Sequence, residues 1–448
     1  RCAAEVCATL DVARDASGTP LSRRWLEEAL GLPESSILGF SAEAASCVRG
    51  KHSGVVRLNL RYASGASRGP TSAILKRVVP QDLEPRSAQK WLRDAASYRA
   101  EINFFGWCAG LLAARGVRVP QVYHVVSEGV EGLPPLAGVL SNEESAMEQV
   151  LSCRFLVLAE DLHPQAFRQE LELGGRDLQA SLKLAARWHG STFEDAAVLA
   201  KATEELFAEG CYWDPGKRQT AEAEVLPEAW ADLAASMAQE DPAFIKAPGI
   251  KDLGNRLLAG SSFADTALRH SGAPSWRHRS LVHGDLKAAN MFFDIKSGEA
   301  VPIDFQWAGV NYGAQDVAYL LLGSAASAEL ATGRQVEALL AAYYEELASV
   351  AGAQAATRGG SFNYSAEEFR RHFKLACLDY ARVVFAYQLK GRDLAWVRSG
   401  AQVLGRCVHN RSVPHLMGLV RFLDSLLEEL ETYGDLSGTP GMISGFGF

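Results

Sequence analysis

The run Leu281-Val282-His283-Gly284-Asp285-Leu286-Lys287-Ala288-Ala289-Asn290-Met291-Phe292-Phe293, followed closely by Val301-Pro302-Ile303-Asp304-Phe305-Gln306, restricts this chain more than any other stretch. Met291 to Phe293 and Val301 to Ile303 are apolar enough to be short buried strands. Asp294 to Glu299 between them is turn-forming, so the spacing predicts a hairpin. Asp285 and Asn290 then belong to the loop that enters the hairpin and Asp304 to its exit. A fold that accepts this segment has to hold several polar side chains of a tight loop beside a buried pair of strands.

Any one of these residues alone would be an ordinary turn residue. Together, the spacing HGDxxxxN and an Asp at the end of an apolar run some fourteen residues later suit phosphoryl transfer. A triphosphate arrives with magnesium, which prefers a few hard oxygens and completes its shell with phosphate oxygens and water. Asp304 and the side-chain carbonyl of Asn290 fit that part. Asp285 would be a separate carboxylate that orients an attacking hydroxyl and accepts its proton.

Upstream, the text is strand-like with one strong helix. Ser22 caps a short helix from Arg23 to Leu30, and strands are expected from Ile37, over Val56 to Tyr62, over Ala73 to Val79 with Lys76 on one face, near Val122 to Val126, and over Arg154 to Ala159. Val56, Leu58, Leu60 and Tyr62 alternate with Arg57, Asn59 and Arg61, which reads as a half-buried strand. The turn Ala45 to Gly54, with Ser46 and Gly50, could lay backbone N–H groups over phosphates, or be a plain hairpin turn. Trp91, Ala95, Tyr98, Ile102, Phe105, Ala109 and Leu112 recur at steps of three and four, so a long amphipathic helix is predicted, with Glu101 on the flank of its stripe. The acidic segment containing Pro134-Pro135 reads as a loop.

After Glu160-Asp161-Leu162 helices replace strands, which makes this the best domain boundary. The expected organisation is an extension over 1–20, a lobe over 21–160, a helical lobe over 161–432 and a Gly-rich tail over 433–448. The fold class is α+β: an antiparallel sheet with one long helix, then a mainly helical lobe. A net charge of −8 with no Lys/Arg block argues against a nucleic-acid partner. No apolar run approaches the roughly 20 residues that cross a bilayer. Eight cysteines without a CxxC pair suggest small buried hydrophobes in a reducing, intracellular and cytoplasmic setting. Arg1 in place of Met suggests a fragment or a processed form, in which any targeting segment is missing.

His283 to Asn290 with Ile303-Asp304-Phe305-Gln306 resembles the catalytic loop and metal site of the aminoglycoside phosphotransferase and choline kinase superfamily, and is most like the ecdysteroid-kinase-like (CHK kinase-like) group. Supporting phrases are Leu21 to Leu26, Phe155 to Leu162 and Leu184 to His189, and the resemblance extends from about residue 20 to about residue 430. It implies a two-lobed protein-kinase-like fold, ATP and Mg2+ as cofactors, and a small hydroxylated acceptor. It further implies that Lys76 contacts the α- and β-phosphates with Glu101 as its partner, that Ser46 and Gly50 belong to a phosphate-covering hairpin, and that Glu160, Asp161 and Leu162 form the hinge at the adenine edge. Asp285 would be the catalytic base, Asn290 and Asp304 the metal ligands. His283 would brace the loop, and Asp316 would anchor the loop backbone, or simply cap the helix that follows it. His189 reads as a satisfied core histidine.

Gly284 stands where a protein kinase has the Arg of HRD, Gln306 stands where it has the Gly of DFG, and no APE follows. A small molecule is therefore favoured over a protein as acceptor: a sterol, an amino alcohol or an aminoglycoside. Residues 195–280, the loop Trp307 to Gln315 and the helices around Tyr380 and Trp396 are the segments from which its surroundings would come, with Trp307 and Tyr312 either facing it or in the core. The rival reading is a non-catalytic kinase-fold module that binds a nucleotide or a protein.

Overall fold

The computed structural model describes residues 13–44, 54–65, 69–83, 87–131, 133, 144–218, 222–269, 276–330 and 333–432. Ser46, Gly50 and the other residues of the turn up to Ser53, the Pro134-Pro135 segment and the Gly-rich tail lie outside them.

The chain is α+β and divides into two compact units. The first comprises Arg1–Arg168, Ala197–Gly210 and Phe292–Val310; the second comprises Gln169–Ala196, Cys211–Met291 and Asn311–Phe448. The first unit carries a five-stranded antiparallel sheet of β1 (Ile37–Ala44), β2 (Gly54–Tyr62), β3 (Ser72–Val78), β4 (Val122–Glu128) and β5 (Arg154–Glu160), in the order β1-β2-β3-β5-β4. Alternation decides its faces. Val56, Leu58, Leu75, Leu156 and Leu158 point one way and are buried with Leu26 of the helix Arg23–Ala29, whose N-terminus is capped by Ser22. Ala13, Ala16 and Leu21 join the same core, so the patternless start of the chain contributes to packing.

The opposite face carries Lys76. Lys76 lies across from Val55 and Val157, and two residues along the strands Arg57 lies across from Ile74, which faces Ala159. Arg57 breaks the half-buried pattern expected of β2: it is 5% exposed, as deeply buried as its apolar neighbours.

The long helix forms, but in three pieces. Ala88–Asn103 runs into a π-helical turn, Phe104–Cys108, and resumes as Ala109–Ala114. The wider turn rotates the apolar stripe and brings Phe104 flat against Phe305, ring centroids 4.0 Å apart. Two expectations are corrected. The acidic insertion contains a helix, Glu144–Ser152, and the expected loop from Trp307 to Gln315 holds a strand and the start of a helix.

The hairpin of the motif is present. β6 (Phe167–Arg168) pairs with β8 (Met291–Asp294) in a three-stranded sheet completed by β9 (Ala300–Pro302), while β7 (Arg279–Val282) precedes the loop and β10 (Gly309–Tyr312) follows it. The second unit is mainly helical, with the helices Gly175–Thr192, Leu226–Ala238, Leu253–Leu268, Gly313–Ser324, Gly333–Thr357, Ala366–Val383 and Val413–Thr432. No helix among the described residues is long and apolar enough to cross a membrane. The described cysteines, Cys108, Cys153, Cys211, Cys377 and Cys407, are free and buried, as small hydrophobes would be.

Candidate functional site

Two constellations hold the residues that the motif singled out, one in each unit. In the first unit β3 presents Lys76 to the long helix. Its ammonium donates to both carboxylate oxygens of Glu101, at 2.9 and 2.7 Å, and lies 3.5 Å from Oδ1 of Asp304. Burial pulls the ammonium toward deprotonation, but the carboxylates of Glu101 and Asp304 outweigh it and Lys76 titrates above its ordinary value. Burial also raises Glu101, and Asp304 adds to this, against the opposing pull of Lys76 and, more weakly, of the Gln306 side chain.

Asp304 adopts φ +67°, the left-handed region a residue with a Cβ seldom occupies. Its Oδ1 is buried and accepts no hydrogen bond among the described residues, although Lys76 stands at ion-pair distance. A strained backbone that aims an under-satisfied carboxylate oxygen is the kind of feature a cation would complete.

In the second unit the loop after β7 is tied down from several sides. Asp316 accepts the backbone N–H of His283 at 2.7 Å through Oδ2 and that of Gly284 at 2.9 Å through Oδ1. Its Oδ2 also faces Nε2 of His189 at 3.2 Å, and Nδ1 of that ring meets the Tyr343 hydroxyl at 2.7 Å. Asp316 is no N-cap, because its helix begins at Gly313 with Tyr312 as the capping residue. A Cβ on Gly313 would come within 2.6 Å of His189 Nδ1 and 2.7 Å of the Tyr343 oxygen. Gly313→Ala is therefore expected to destabilise the protein by about 1–3 kcal/mol, the usual range for overpacking, read as a lower melting temperature; an unchanged melting temperature would show that these buried polar partners yield freely.

Asp285 is the centre of this second set. His283 Nδ1 accepts its backbone N–H at 3.2 Å, and Asn290 Nδ2 donates to its carbonyl oxygen at 2.8 Å and to its Oδ2 at 2.9 Å. With the amide hydrogens of Asn290 directed at Asp285, the side-chain carbonyl is the part left for a cation. Lys287 contacts both oxygens of the Asp285 carboxylate, at 3.1 and 2.9 Å. Sequence reading gave this lysine no task, though its place two residues after the Asp was visible.

Glu160 closes β5, and Asp161 and Leu162 follow it. Glu160 and Asp161 spend their side chains on Arg118 and Arg57, and Leu162 is buried with Phe292 and Val301. Leu162 N–H donates no hydrogen bond among the described residues, whereas that of Glu160 is taken by the Gln121 carbonyl at 2.7 Å. Trp307 and Tyr312 both pack internally: Trp307 stacks on Phe207 at 5.6 Å, and Tyr312 lies against His372 at 4.3 Å. The structure thus brings Lys76, Glu101 and Asp304 together in the first unit, and Asp285, Asn290 and Lys287 in the second.

No group of three or more His, Cys, Asp or Glu among the described residues could hold a metal ion. Magnesium held by a single carboxylate and a carbonyl, with phosphate oxygens and water completing the shell, needs no such group, and the orphaned Asp304 oxygen fits it.

A model of the ecdysteroid kinase-like family matches residues 52–353. The comparison with curated proteins finds no match. Among solved structures, the chain is similar to the microcompartment-associated aminopropanol kinase, with 14% identity, 93% of this chain and 99% of that one covered, and a TM-score of 0.43. It is similar to the amicoumacin kinase in complex with AMP-PNP, Ca2+ and Ami, at 14% identity, 91% and 93% coverage and a TM-score of 0.39. It is also similar to the choline kinase of Streptococcus pneumoniae, at 13% identity, 89% and 98% coverage and a TM-score of 0.38.

Proposed function

We propose, from the premise that the chain belongs to the ecdysteroid kinase-like family, that it is an ATP- and magnesium-dependent kinase that phosphorylates a hydroxyl of a small, uncharged ring alcohol. The observation that carries the reading is the hydrogen bonding of Asp285: a carboxylate in a loop pinned by Asp316 and His283, ordered by Asn290 and faced by Lys287.

In this reading Lys76, fixed by Glu101, neutralises the α- and β-phosphates, and the Leu162 N–H, which donates no hydrogen bond among the described residues, meets the adenine edge. Asp304 and the Asn290 carbonyl would hold the magnesium ion, which would supply positive charge to the phosphate oxygens. Asp285 orients the acceptor hydroxyl and takes its proton as oxygen attacks phosphorus. Lys287, paired with the Asp285 carboxylate, supplies a positive charge beside the oxygens of the phosphoryl group in flight.

The acceptor class rests on the side chains around Tyr212, whose backbone meets the Asp285 loop in the same unit. The N–H of Tyr212 donates to the Gly284 carbonyl at 3.0 Å, and Gln388 donates to the Tyr212 hydroxyl at 2.6 Å. The guanidinium of Arg218 lies 3.9 Å from the Tyr387 ring centroid and 5.9 Å from that of Tyr212. The nearby carboxylates are already matched: Glu222 by Arg218 and Arg382, Asp379 by Arg269 and Arg382. Aromatic faces and compensated charge suit a sterol-like alcohol better than a polycationic aminoglycoside or choline.

Magnesium-dependent ATP turnover measured against a panel of sterol, amino-alcohol and aminoglycoside acceptors tests this. Sterol alcohols are expected to stimulate turnover most. Preference for an aminoglycoside would overturn the acceptor class, and nucleotide binding with no turnover on any acceptor would favour the non-catalytic module.

A further inference from the structure

Glu160, the last residue of β5, and Asp161 after it are each gripped by an arginine. Arg118 donates to Glu160 from Nη1 at 2.9 Å and from Nη2 at 2.5 Å, and the Gln121 N–H adds a third bond at 3.0 Å. Arg57 donates to Asp161 from Nε at 2.7 Å and from Nη2 at 3.1 Å, a parallel pair of bonds in which the side chains are 6% and 1% exposed. A third contact, Arg57 Nη1 to Glu43 at 3.4 Å, ties the same guanidinium to β1.

An arginine in the middle of a sheet strand is costly to bury unless its charge is matched and its donors are used. Stability alone would be served at least as well by an apolar residue, as at Val56 and Leu58 beside it. The position therefore calls for a second explanation, and the register supplies one. Arg57 lies on the sheet face of Lys76, not on the face packed against Leu26, and reaches along that face to the residue preceding Leu162. Given the adenine contact proposed above for Leu162, we propose that Arg57 is a nucleotide-positioning residue: by fixing Asp161 against β2 it sets the direction of the Leu162 N–H and so selects a base that offers an acceptor there. Adenine presents its N1 lone pair to such a donor, whereas guanine presents an N–H.

Arg57→Lys keeps the charge but gives up the fork geometry. The measurement is binding of a fluorescent ATP analogue, of its guanine counterpart and of inorganic tripolyphosphate to the full chain in magnesium buffer. The substitution is expected to weaken the ATP analogue by roughly tenfold, narrow the adenine-over-guanine preference, and leave tripolyphosphate unchanged, since that probe has no base. Asp161→Asn, which perturbs the same pair from the hinge side, should show the same split, and serves if the lysine variant does not fold. Equal losses for the ATP analogue and tripolyphosphate would mean that Arg57 is merely structural. Unchanged binding of all three would overturn the proposal outright. A wild-type chain that binds neither nucleotide nor tripolyphosphate would overturn the kinase reading with it.

Discussion

Asp285→Asn is expected to lower kcat by about 10³-fold while the affinity for nucleotide stays within about twofold of wild type, on the scale that a positioned base contributes. The substitution is nearly isosteric. It keeps an oxygen for the Asn290 amide, and the backbone bonds to Asp316 and His283 do not involve the side chain. What it removes is the negative charge opposite Lys287 and the capacity to take a proton. Fold and nucleotide contacts are thereby separated from chemistry, so a single-turnover rate with saturating ATP and acceptor is the decisive measurement. Full activity in the variant would reassign the base.

Asp304→Asn is the second large effect. Asn tolerates the left-handed backbone that Asp304 adopts better than most residues with a side chain, so the variant should fold. In the wild type, magnesium is expected to tighten nucleotide binding. In the variant that increment should disappear, and kcat/KM for ATP should fall by about 10²–10³-fold, the order of loss seen when one electrostatic contact to a developing charge is removed. Binding titrations with and without magnesium read the first quantity independently of turnover. An increment equal to that of wild type would exclude Asp304 as a metal ligand.

How much was legible in the sequence depended on how far apart the partners of each residue lie. The β-strand assignments and the Lys76 face followed from period-two alternation, and the helix bearing Glu101 from its apolar stripe, because these are local patterns. The loop 283–290 was legible because its spacing is compact. Arg57 was not: alternation assigned it to a solvent-facing side, while the carboxylate that draws it inward lies 104 residues further on. Lys287 escaped notice because a lysine after a loop aspartate is unremarkable until its ammonium is found on both carboxylate oxygens. The helix Glu144–Ser152 was masked by the acidic, proline-containing context before it, and β10 by its brevity, four residues after two loop positions.

The π-helical turn at Phe104–Cys108 has a mechanical meaning beyond its packing. It lies three residues after Glu101, and its Phe104 ring is stacked on Phe305, the residue immediately after Asp304. The helix that holds the lysine's partner and the backbone turn that aims the candidate metal ligand are thus bolted together through one aromatic pair. A substitution that shrinks either ring, both of which are fully buried, is therefore expected to loosen the setting of Glu101 and of Asp304 together.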